Sequence, residues 1–587
     1  MNYNLNQLGQ QRPKTSTLAA LKSLLQLISH ERRNLLIALV AILLNSTLNL
    51  LGPYLIGHTI DTYVVHKQYH GVLVFAGILL SMYLVALFTS YFQTKLMGGV
   101  GQRMLFTLRN EVFQKLQVLP VGFFNANKAG DLISRVNNDT DKINSFFSQS
   151  LMQFIGSIAT MTGAGIFLLV INIRLGVAAL VPAVLIVLFT RIVSPWVKKK
   201  NAVNMSSVGG MSAEIQESLG NFKVIIAFNR RDYFRQRFQT ANQQNYTTAK
   251  GAGLANNIFV PVYSMLSSMA QLTVLLYGIY LIAHQEFSVG LLVSYLAYAT
   301  NFYNPLRQLA ALWTSFQVAM AGWDRVSVIL SLDTNLPVME TAEEVSAAGP
   351  LIELKNVHFG YLPGKEILHN ISLQLQRGKT YAFVGPTGGG KTTTASLIAR
   401  LYDPVSGTVL LDGKDIRSYT ATERTKKVGF ILQEPFLFTG TVKENILYGN
   451  EQYAAYRNEA LEEVIKNANL QSLLTIFENG LETKVTSGGD SISLGQKQLI
   501  AFMRAVLRNP DVLILDEATA NIDTVTEQLL EDILNKLPAT TTRIIIAHRL
   551  NTIENADEIY FVNSGEVTRA GSFEDAVDKL LKGKRVS

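Results

Sequence analysis

Residues 380–392 read Thr-Tyr-Ala-Phe-Val-Gly-Pro-Thr-Gly-Gly-Gly-Lys-Thr, and this stretch is the strongest indication of how the C-terminal part of the chain folds. Its first five residues predict a buried strand, and a helical pattern runs on from Lys391 through Leu401. A glycine-rich loop between a strand and a helix is an arrangement that holds phosphate groups. The stretch therefore predicts an α/β domain that binds a nucleoside triphosphate.

Each part of this loop has a physical reason to be there. Glycine lets backbone N–H groups close around the β- and γ-phosphates, Lys391 adds a mobile positive charge, and Thr392 offers a hydroxyl to Mg²⁺. The N-terminus of the following helix adds positive potential. The residues that we expect to bind nucleotide here are Gly385, Pro386, Thr387, Gly388, Gly389, Gly390, Lys391, Thr392 and Thr393.

Two further apolar runs end in residues suited to phosphate chemistry. Val512–Leu515 predicts a strand buried on both faces, and Asp516 and Glu517 follow it. Because the carboxyl end of such a strand faces the ligand crevice, Asp516 is suited to hold Mg²⁺ and Glu517 to activate the attacking water. A buried strand at 544–547 would likewise bring His548 to the γ-phosphate and to Glu517.

Ser493-Leu494-Gly495-Gln496 opens a segment that we predict to be helical over about Lys497–Leu507. A hydroxyl, free N–H groups and the positive end of the helix dipole can together bind an anion. The same residues are also typical of a simple helix cap. Taken alone, they favour the cap.

The N-terminal half of the chain is too apolar for a soluble enzyme. Charged residues make up 16% of the chain, against a usual ~25%, and the deficit lies in residues 35–320. Since a helix needs about 20 apolar residues to cross a bilayer, we predict six transmembrane helices. They cover about Leu35–Ile56, Val72–Phe92, Phe154–Ile171, Leu175–Val197, Val260–Ala283 and Gly290–Trp313.

Basic residues distinguish the two sides of this membrane domain. The links after the second and fourth spans are each about 60 residues long and carry seven and nine Lys/Arg, whereas each short link carries at most one. The positive-inside rule places both long links and both termini in the cytoplasm. We therefore expect a multi-pass protein of the plasma membrane, whose helices extend well beyond the bilayer.

The net charge of +8 does not indicate nucleic acid as a partner. The basic residues are clustered beside the apolar spans rather than in one patch, as at Arg32-Arg33, Lys198–Lys200 and Arg230-Arg231. The chain has no cysteine, which excludes disulfides, thiolate metal sites and a cysteine nucleophile.

Each long link contains a break in its helical pattern. Phe123-Phe124-Asn125 and Gly130-Asp131 interrupt the first link, and Gly220-Asn221 precedes several apolar residues in the second. Apolar residues at the tip of a long hairpin indicate a docking element, although an ordinary surface turn would show the same pattern.

Polar and aromatic residues inside the spans allow two interpretations. They can take part in function, or they can form hydrogen bonds between helices. The residues concerned are Asn45, Asn49, Tyr83, Tyr91, Asn257, Gln271, Asn301 and Tyr303.

The order of these motifs resembles that of the ABC transporters, specifically the exporter half-transporters with six spans ahead of one nucleotide-binding domain. The resemblance covers about residues 20–575 and rests on the combination of motifs. It implies ATP and Mg²⁺ as cofactors, a helical subdomain in the ATPase domain, and alternating access between the two sides of a membrane. The breaks near Phe123–Asp131 and Gly220–Phe228 match coupling helices that dock on nucleotide-binding domains.

The resemblance also implies roles for individual residues. It makes Gly385–Thr392 the Walker A loop, Asp516 the Walker B aspartate and Glu517 the catalytic glutamate. His548 would be the switch histidine, Gln433 a catalytic and metal-binding glutamine, and Asp523 the D-loop aspartate. Tyr361 would be the aromatic that stacks on adenine, and the signature residues that contact nucleotide would be Ser493, Gly495 and Gln496.

The signature departs from the family pattern at Leu494, where the family has glycine. A side chain there should weaken the approach of phosphate to the backbone. A weak signature beside an intact Glu517 and His548 resembles one subunit of a heterodimeric exporter, whose other chain carries the better signature. Harmless drift in a homodimer is the alternative.

Together these features predict a polytopic α-helical membrane domain followed by an α/β ATPase domain. We expect an N-terminal segment at 1–34, the membrane domain at 35–325, a linker at 326–349 and the nucleotide-binding domain at 350–587. The expected function is ATP-driven export or flipping of amphipathic or hydrophobic molecules, lipids or peptides, by one half of a dimer. The alternatives are a homodimeric lipid flippase, a nucleotide-gated channel, an importer and a soluble ATPase acting on nucleic acid.

Overall fold

The computed structural model describes residues 3–5, 8, 31–333, 338–339, 349–362, 364–486, 492–516, 524–546, 554–571, 574–575 and 577–578. The chain forms two compact units. The helical unit contains Arg12–Gln114 and Leu132–Leu330, and the α/β unit contains Met1–Gln11, Lys115–Asp131 and Ser331–Ser587. A short piece of the first long link therefore belongs with the α/β unit and not with the helices on either side of it.

Long helices build most of the helical unit, and every predicted span lies within one of them. The long helices run Arg32–Thr59, Tyr69–Gln117, Leu151–Ile171, Ile173–Gly220, Arg231–Asn257, Phe259–Ala283 and Val289–Leu330. Shorter helical pieces are Val121–Ala126, Ala129–Ser134, Thr140–Ser145 and Phe222–Ala227, and the π-helical turns are Ile60–Val64, Arg135–Asp139 and Phe146–Ser150.

The sixth predicted span differs from the other five. Among the described residues, five helical stretches are long and apolar enough to cross a membrane: Arg32–Val64, Tyr69–Gln117, Ala129–Ile171, Ile173–Gly220 and Arg231–Ala283. The helix Val289–Leu330, which contains the sixth span, is not among them. Its length suffices for a crossing, so its polar residues account for the difference.

Three tyrosines of this helix are directed into the helical unit. Tyr295, Tyr298 and Tyr303 are almost completely buried. The Tyr298 hydroxyl donates to the Leu50 carbonyl oxygen and that of Tyr303 to the Ala179 carbonyl oxygen, both at 2.7 Å. Because each phenol finds an acceptor, it can be buried without the cost of an unpaired polar group. These bonds join the helix Val289–Leu330 to its neighbours, and Tyr303 forms the interhelical bond that was one of its two predicted roles.

The helices Arg32–Thr59 and Val289–Leu330 approach each other closely at two glycines. A Cβ atom on Gly290 would lie 2.1 Å from the carbonyl oxygen of Gly57, and one on Gly57 would lie 1.9 Å from Ser294 Oγ. Asp61 closes this contact, since its carboxylate accepts hydrogen bonds from the Gly290 N–H, at 2.8 Å, and from the Ser288 hydroxyl. Small residues at such a crossing let two backbones pack directly in a membrane.

The α/β unit contains two larger sheets. The first is antiparallel, with the order β2-β1-β4-β5, and the second is mostly parallel, with the order β12-β11-β3-β10-β9-β6. The strands are β1 Ile352–Phe359, β2 Leu368–Leu375, β3 Thr380–Val384, β4 Ser406–Leu411, β5 Lys414–Asp415, β6 Val428–Ile431, β9 Val512–Asp516, β10 Thr542–Ile546, β11 Glu558–Asn563 and β12 Glu566–Ala570, while β7 Gly440–Thr441 and β8 Lys484–Val485 form a small pair.

Helices cover the mostly parallel sheet and form the predicted helical subdomain. They are Lys391–Ile398, Ala421–Lys427, Val442–Leu447, Asn458–Asn467, Gln471–Leu474, Leu494–Val506 and Thr524–Lys536, with 3₁₀ turns at Ile416–Ser418, Glu451–Tyr453 and Gly480–Glu482. Alternate residues of β9 pack on opposite faces, with Leu513 and Leu515 in one apolar core and Val512 and Ile514 in another. Burial on both faces explains why this strand reads as a continuous apolar run.

Gly290→Ala should destabilise the helical unit, because the added methyl group has no room beside Gly57. Overpacking of this kind costs about 1–3 kcal/mol, which we expect to appear as a lower unfolding temperature of the purified protein in nanodiscs. Gly77→Ala is the matched control, since nothing lies within 4 Å of its Cβ position. Equal melting temperatures for the two variants would contradict the close crossing.

Candidate nucleotide site

The glycine-rich loop follows β3 and is shaped by backbone that other residues could not adopt. Gly385, Gly388 and Gly390 have φ values of 149°, 82° and 115°. A Cβ atom on Gly385 would lie 1.9 Å from the carbonyl oxygen of Val562 on β11. Positive φ and this close approach both require glycine. The loop is therefore bent tightly against the neighbouring strand, and the Gly389 N–H donates within the loop to the Pro386 carbonyl oxygen at 3.1 Å.

Lys391 begins the helix that follows the loop. The residue is only 5% exposed, and its ammonium group donates to the carbonyl oxygens of Gly385 and Pro386, both at 3.0 Å. These bonds hold the charge over the loop itself. A phosphate seated in the loop would meet a positive charge that is already oriented and partly shielded from water.

Thr392 and Asp516 come together from different parts of the sheet. Asp516 ends β9 and is 3% exposed, and the Thr392 hydroxyl donates to its Oδ1 at 3.0 Å. In the parallel sheet, β10 separates β3 from β9, so the loop and the carboxylate lie at the same edge. A hydroxyl and a carboxylate are hard oxygen donors of the kind that Mg²⁺ prefers, and the pair therefore fits this ion.

Tyr361 lies beside the start of the same helix. Its hydroxyl is 3.1 Å from Thr393 Oγ1, and its ring contacts the edges of Phe359 and Tyr402, with centroids 5.0 and 5.1 Å away. The residue remains 43% exposed. A fixed aromatic ring that is still accessible can offer a stacking surface to a base.

Tyr402 connects this ring cluster to the short helix Val121–Ala126. The side-chain amide of Asn125 donates to the Tyr402 hydroxyl at 2.6 Å, and Phe123 of the same helix is completely buried. Burial raises the pKa of the Tyr402 phenol, so the hydroxyl stays protonated in the physiological range. These contacts favour a docking element over a surface turn at the first break.

The N-terminal residues also contact this short helix. The Leu5 N–H donates to Asn127 Oδ1 at 3.0 Å, and the Asn127 amide donates to the Tyr3 carbonyl oxygen at 2.8 Å. The Leu5 side chain is 2% exposed. The sequence patterns used above did not indicate Tyr402, Asn127 or Leu5, because the partners are far apart in the chain.

The short helix at the second break is exposed, whereas the one at the first break is packed within the α/β unit. The helix Phe222–Ala227 exposes Phe222 and Val224 by 53% and 55%, and Phe228 beyond it is 74% exposed. Apolar side chains at the tip of a long hairpin are unfavourable in water and mark a surface for another protein.

Ser493 caps the helix Leu494–Val506, which begins three residues before the predicted start at Lys497. Its hydroxyl accepts from the Gln496 N–H at 3.2 Å, and the Gln496 side chain accepts from the Ser493 N–H at 2.9 Å. This reciprocal pair is a capping box, so the structure shows the cap, one of the two predicted roles. Gly495 is buried, and the Leu494 side chain is 40% exposed at the helix start.

Of the four remaining predicted residues, the structure describes only Gln433. Gln433 is exposed two residues beyond the end of β6, the strand next to β9. Glu517, Asp523 and His548 lie outside the described residues. The last residue of β9 and the last residue of β10 are paired in register, so the chain leaves both strands at the edge that carries the loop.

Comparisons with known proteins agree with this architecture. Residues 35–306 match the model of the ABC transporter transmembrane region, and residues 368–520 match the ABC transporter model. The chain is 33% identical to an uncharacterized ABC transporter ATP-binding protein, YfiC, of Bacillus subtilis, over 93% of this chain and 90% of that protein.

Two further relatives have named activities. A multidrug resistance ABC transporter ATP-binding and permease protein of Lactococcus lactis is 31% identical, over 85% of this chain and 84% of that one. An ATP-dependent lipid A-core flippase of Syntrophus aciditrophicus is 29% identical, over 94% and 91%.

The chain belongs to the ABC transporters and is an exporter-type half-transporter, with the membrane region and the ATPase domain fused in one polypeptide. It is a multi-pass membrane protein that binds ATP and couples its hydrolysis to transport, and such half-transporters work as dimers. The predicted fold class and family are confirmed.

Lys391→Ala should weaken ATP binding about 10- to 100-fold, because a hydrogen-bonded charge at the phosphates is lost. The measurement is a titration of the purified chain with a fluorescent ATP analogue. Lys426→Ala, an exposed lysine on the helix Ala421–Lys427, is the control and should bind normally. Unchanged affinity in Lys391→Ala would remove this residue from the site.

Proposed function

We propose that this half-transporter exports or flips amphipathic or hydrophobic small molecules, lipids or peptides by alternating access. The observation that carries the proposal is the chain of contacts from Asn125 through Tyr402 and Tyr361 to Thr393. It links the docked helix of the first long link to the residue after Thr392. A rearrangement at the nucleotide can therefore shift the helix Val121–Ala126, and the chain on either side of this helix continues into the membrane helices.

The substrate class is supported by the relatives rather than by a bound ligand. One relative is named for multidrug resistance and another for flipping a lipid. ATP-dependent movement of a fluorescent lipid in proteoliposomes tests the activity, with Lys391→Ala as the inactive control. A nucleotide-gated channel would let the probe move only down its gradient, which this assay separates from pumping.

We assign the chemistry to residues at one edge of the sheet. Thr392 and Asp516 would hold Mg²⁺ together with Gln433, and the ion would neutralise charge on the phosphates when bound. The loop Gly385–Gly390 and Lys391 hold the phosphates, and Tyr361 stacks on adenine. Glu517 orients or deprotonates the attacking water, and His548 contacts the γ-phosphate. Asp523, Ser493, Gly495 and Gln496 complete the site across the dimer.

Glu517→Gln should keep ATP binding but lower hydrolysis about 10²- to 10⁴-fold, since an amide cannot accept the proton from water. ATPase rate and nucleotide affinity are measured on the same preparation, together with any partner chain. Glu527→Gln, on the helix Thr524–Lys536, is the control for the same substitution. Near-normal turnover in Glu517→Gln would exclude the residue as the base.

We also propose that the protein lies in the plasma membrane with both termini in the cytoplasm. The support is the concentration of Lys and Arg in the two long links. Cysteines introduced singly at Gly130 and Gly220 should react only with reagents on the cytoplasmic side, and those at Gln68 and Gln285 only from outside. All four positions are exposed, and the chain offers no background cysteine. Reversed labelling would overturn this orientation.

The partner in the dimer is proposed to be a different chain. Leu494 places an exposed side chain at the helix start where phosphate bound by the other half would approach, and its bulk hinders that approach. The site built on Lys391, Asp516 and Glu517 should then perform most of the turnover, capped by a better signature from the partner. The exposed apolar tip around Phe222 provides a surface for such a partner.

The chain purified alone should therefore show weak ATPase activity, and Leu494→Gly should raise it several-fold by opening the signature to phosphate. Leu470→Gly would not serve as a control because Leu470 is buried, so the exposed Leu432→Gly is used instead. A stable homodimer with full, substrate-stimulated activity and two equivalent sites would show that Leu494 is mere variation.

A further inference from the structure

A cavity of about 540 Å³ lies in the helical unit among the helices Arg32–Thr59, Tyr69–Gln117, Leu151–Ile171 and Val289–Leu330, beside the turn Phe146–Ser150. Its volume falls within the range of about 300–1,000 Å³ that is usual for small-molecule sites. It extends from Asn49, inside the first predicted span, to Gln93 and Gln153, the first and last residues of the long link between the second and third predicted spans. The cavity therefore reaches from membrane depth to the proposed cytoplasmic interface.

The lining is polar but carries no charge. Of the fifteen described residues that line the cavity, eleven are amides or hydroxyls, four are apolar or glycine, and none is acidic or basic. The amides are Asn45, Asn49, Gln93, Gln149, Gln153 and Gln308. Such a lining offers both donors and acceptors, and it offers no counter-charge to an ion that would have to leave water.

Two of these amides already have a local partner. The Asn49 side-chain amide donates to the backbone carbonyl and to the side-chain oxygen of Asn45, at 3.0 and 3.2 Å. Both residues belong to the same helix, so the pair does not hold two helices together. Gln271, by contrast, donates to Thr300 on another helix at 3.2 Å, outside the cavity.

Gln93 supplies the observation that points to a ligand. Its Oε1 atom is buried and, within the described residues, has no hydrogen-bond partner. An unpaired buried acceptor costs about 1–3 kcal/mol, and the residue borders the cavity. If the amide turned toward the cavity, a ligand hydroxyl or amide N–H could pair with it.

We infer that this cavity binds the uncharged, hydrogen-bonding head of an amphiphile that enters from the cytoplasmic side. The inference rests on the proposed export function and narrows its substrate class. A purely apolar substrate would leave the amides unpaired, and an ionic head would be desolvated without a counter-charge. Hydroxyl-rich sugar heads and amide-rich peptide heads both have the required chemistry.

Four fluorescent amphiphiles with one common acyl chain distinguish these possibilities. Their heads are a dihexosyl group, an uncharged tripeptide amide, a carboxylate and a trimethylammonium group. Each probe is titrated against the full chain in nanodiscs without nucleotide. We expect one or both neutral heads to bind at least about tenfold more tightly than either charged head, which corresponds to about one unpaired buried group. Comparison of the dihexosyl and tripeptide probes shows whether the cavity accepts a sugar head, a peptide head or both.

The variants test whether the cavity itself is responsible. Gln93→Leu and Gln153→Leu should each weaken binding of the preferred neutral probe about fivefold or more, and Gln271→Leu should not. Gln93→Lys should shift the preference toward the carboxylate probe. Equal binding of charged and neutral heads, no binding of any probe, or a loss confined to Gln271→Leu would each overturn the inference.

Transport of the same probes separates this inference from the proposed function. If the neutral probe binds as expected but ATP does not drive its movement in proteoliposomes with any partner chain, the cavity assignment holds and the export proposal fails. If ATP drives movement of charged and neutral probes alike, and Gln93→Leu leaves it unchanged, export holds and the cavity assignment fails.

Discussion

The nucleotide site depends on one close approach, in which the glycine-rich loop packs directly on the backbone of β11. Cβ atoms on Gly385 and Gly389 would lie 1.9 and 2.6 Å from the same carbonyl oxygen, that of Val562. Contact this tight fixes the loop against the sheet. It thereby fixes Lys391 and Thr392, which follow at once, at the edge where Asp516 ends β9. The position of the loop, and of the oxygen donors proposed above for Mg²⁺, follows from that single packing constraint.

A different constraint governs the helical unit, where no water is available to satisfy polar groups at membrane depth. The sixth helix meets it by burying tyrosines whose hydroxyls reach carbonyl oxygens on other helices. The cavity amides meet it only in part, as the unpaired oxygen of Gln93 shows. Satisfied polar groups hold the helices together, whereas the unsatisfied one is the basis of the ligand site proposed above. Polarity inside the spans therefore has two physical meanings, which the contacts separate.

Patterns within short stretches of sequence predicted those elements whose structure depends on neighbouring residues. The loop, β3 and β9 are each formed by one unbroken stretch of sequence. The apolar runs of the two strands reflect burial on both faces. Periodicity does not tell a lipid-facing side from an interior side, so six spans were predicted where composition supports five and packing explains the sixth. The bond from Asn125 to Tyr402 joins residues 277 positions apart, and no spacing rule reaches that distance. The helix at Leu494 begins early because Ser493 caps it.

That cap also bears on how two halves would cooperate. Ser493 and Gln496 satisfy each other, so this helix start is complete without a ligand. A phosphate arriving from another domain gains only the remaining N–H groups and the dipole, which are worth little when a leucine side chain keeps it at a distance. The loop at Gly385–Gly390 differs, since a buried lysine holds its positive charge directly against the loop carbonyl oxygens. Under the proposed pairing with a different chain, this chain would contribute the phosphate-binding loop and the partner would contribute the better capping helix.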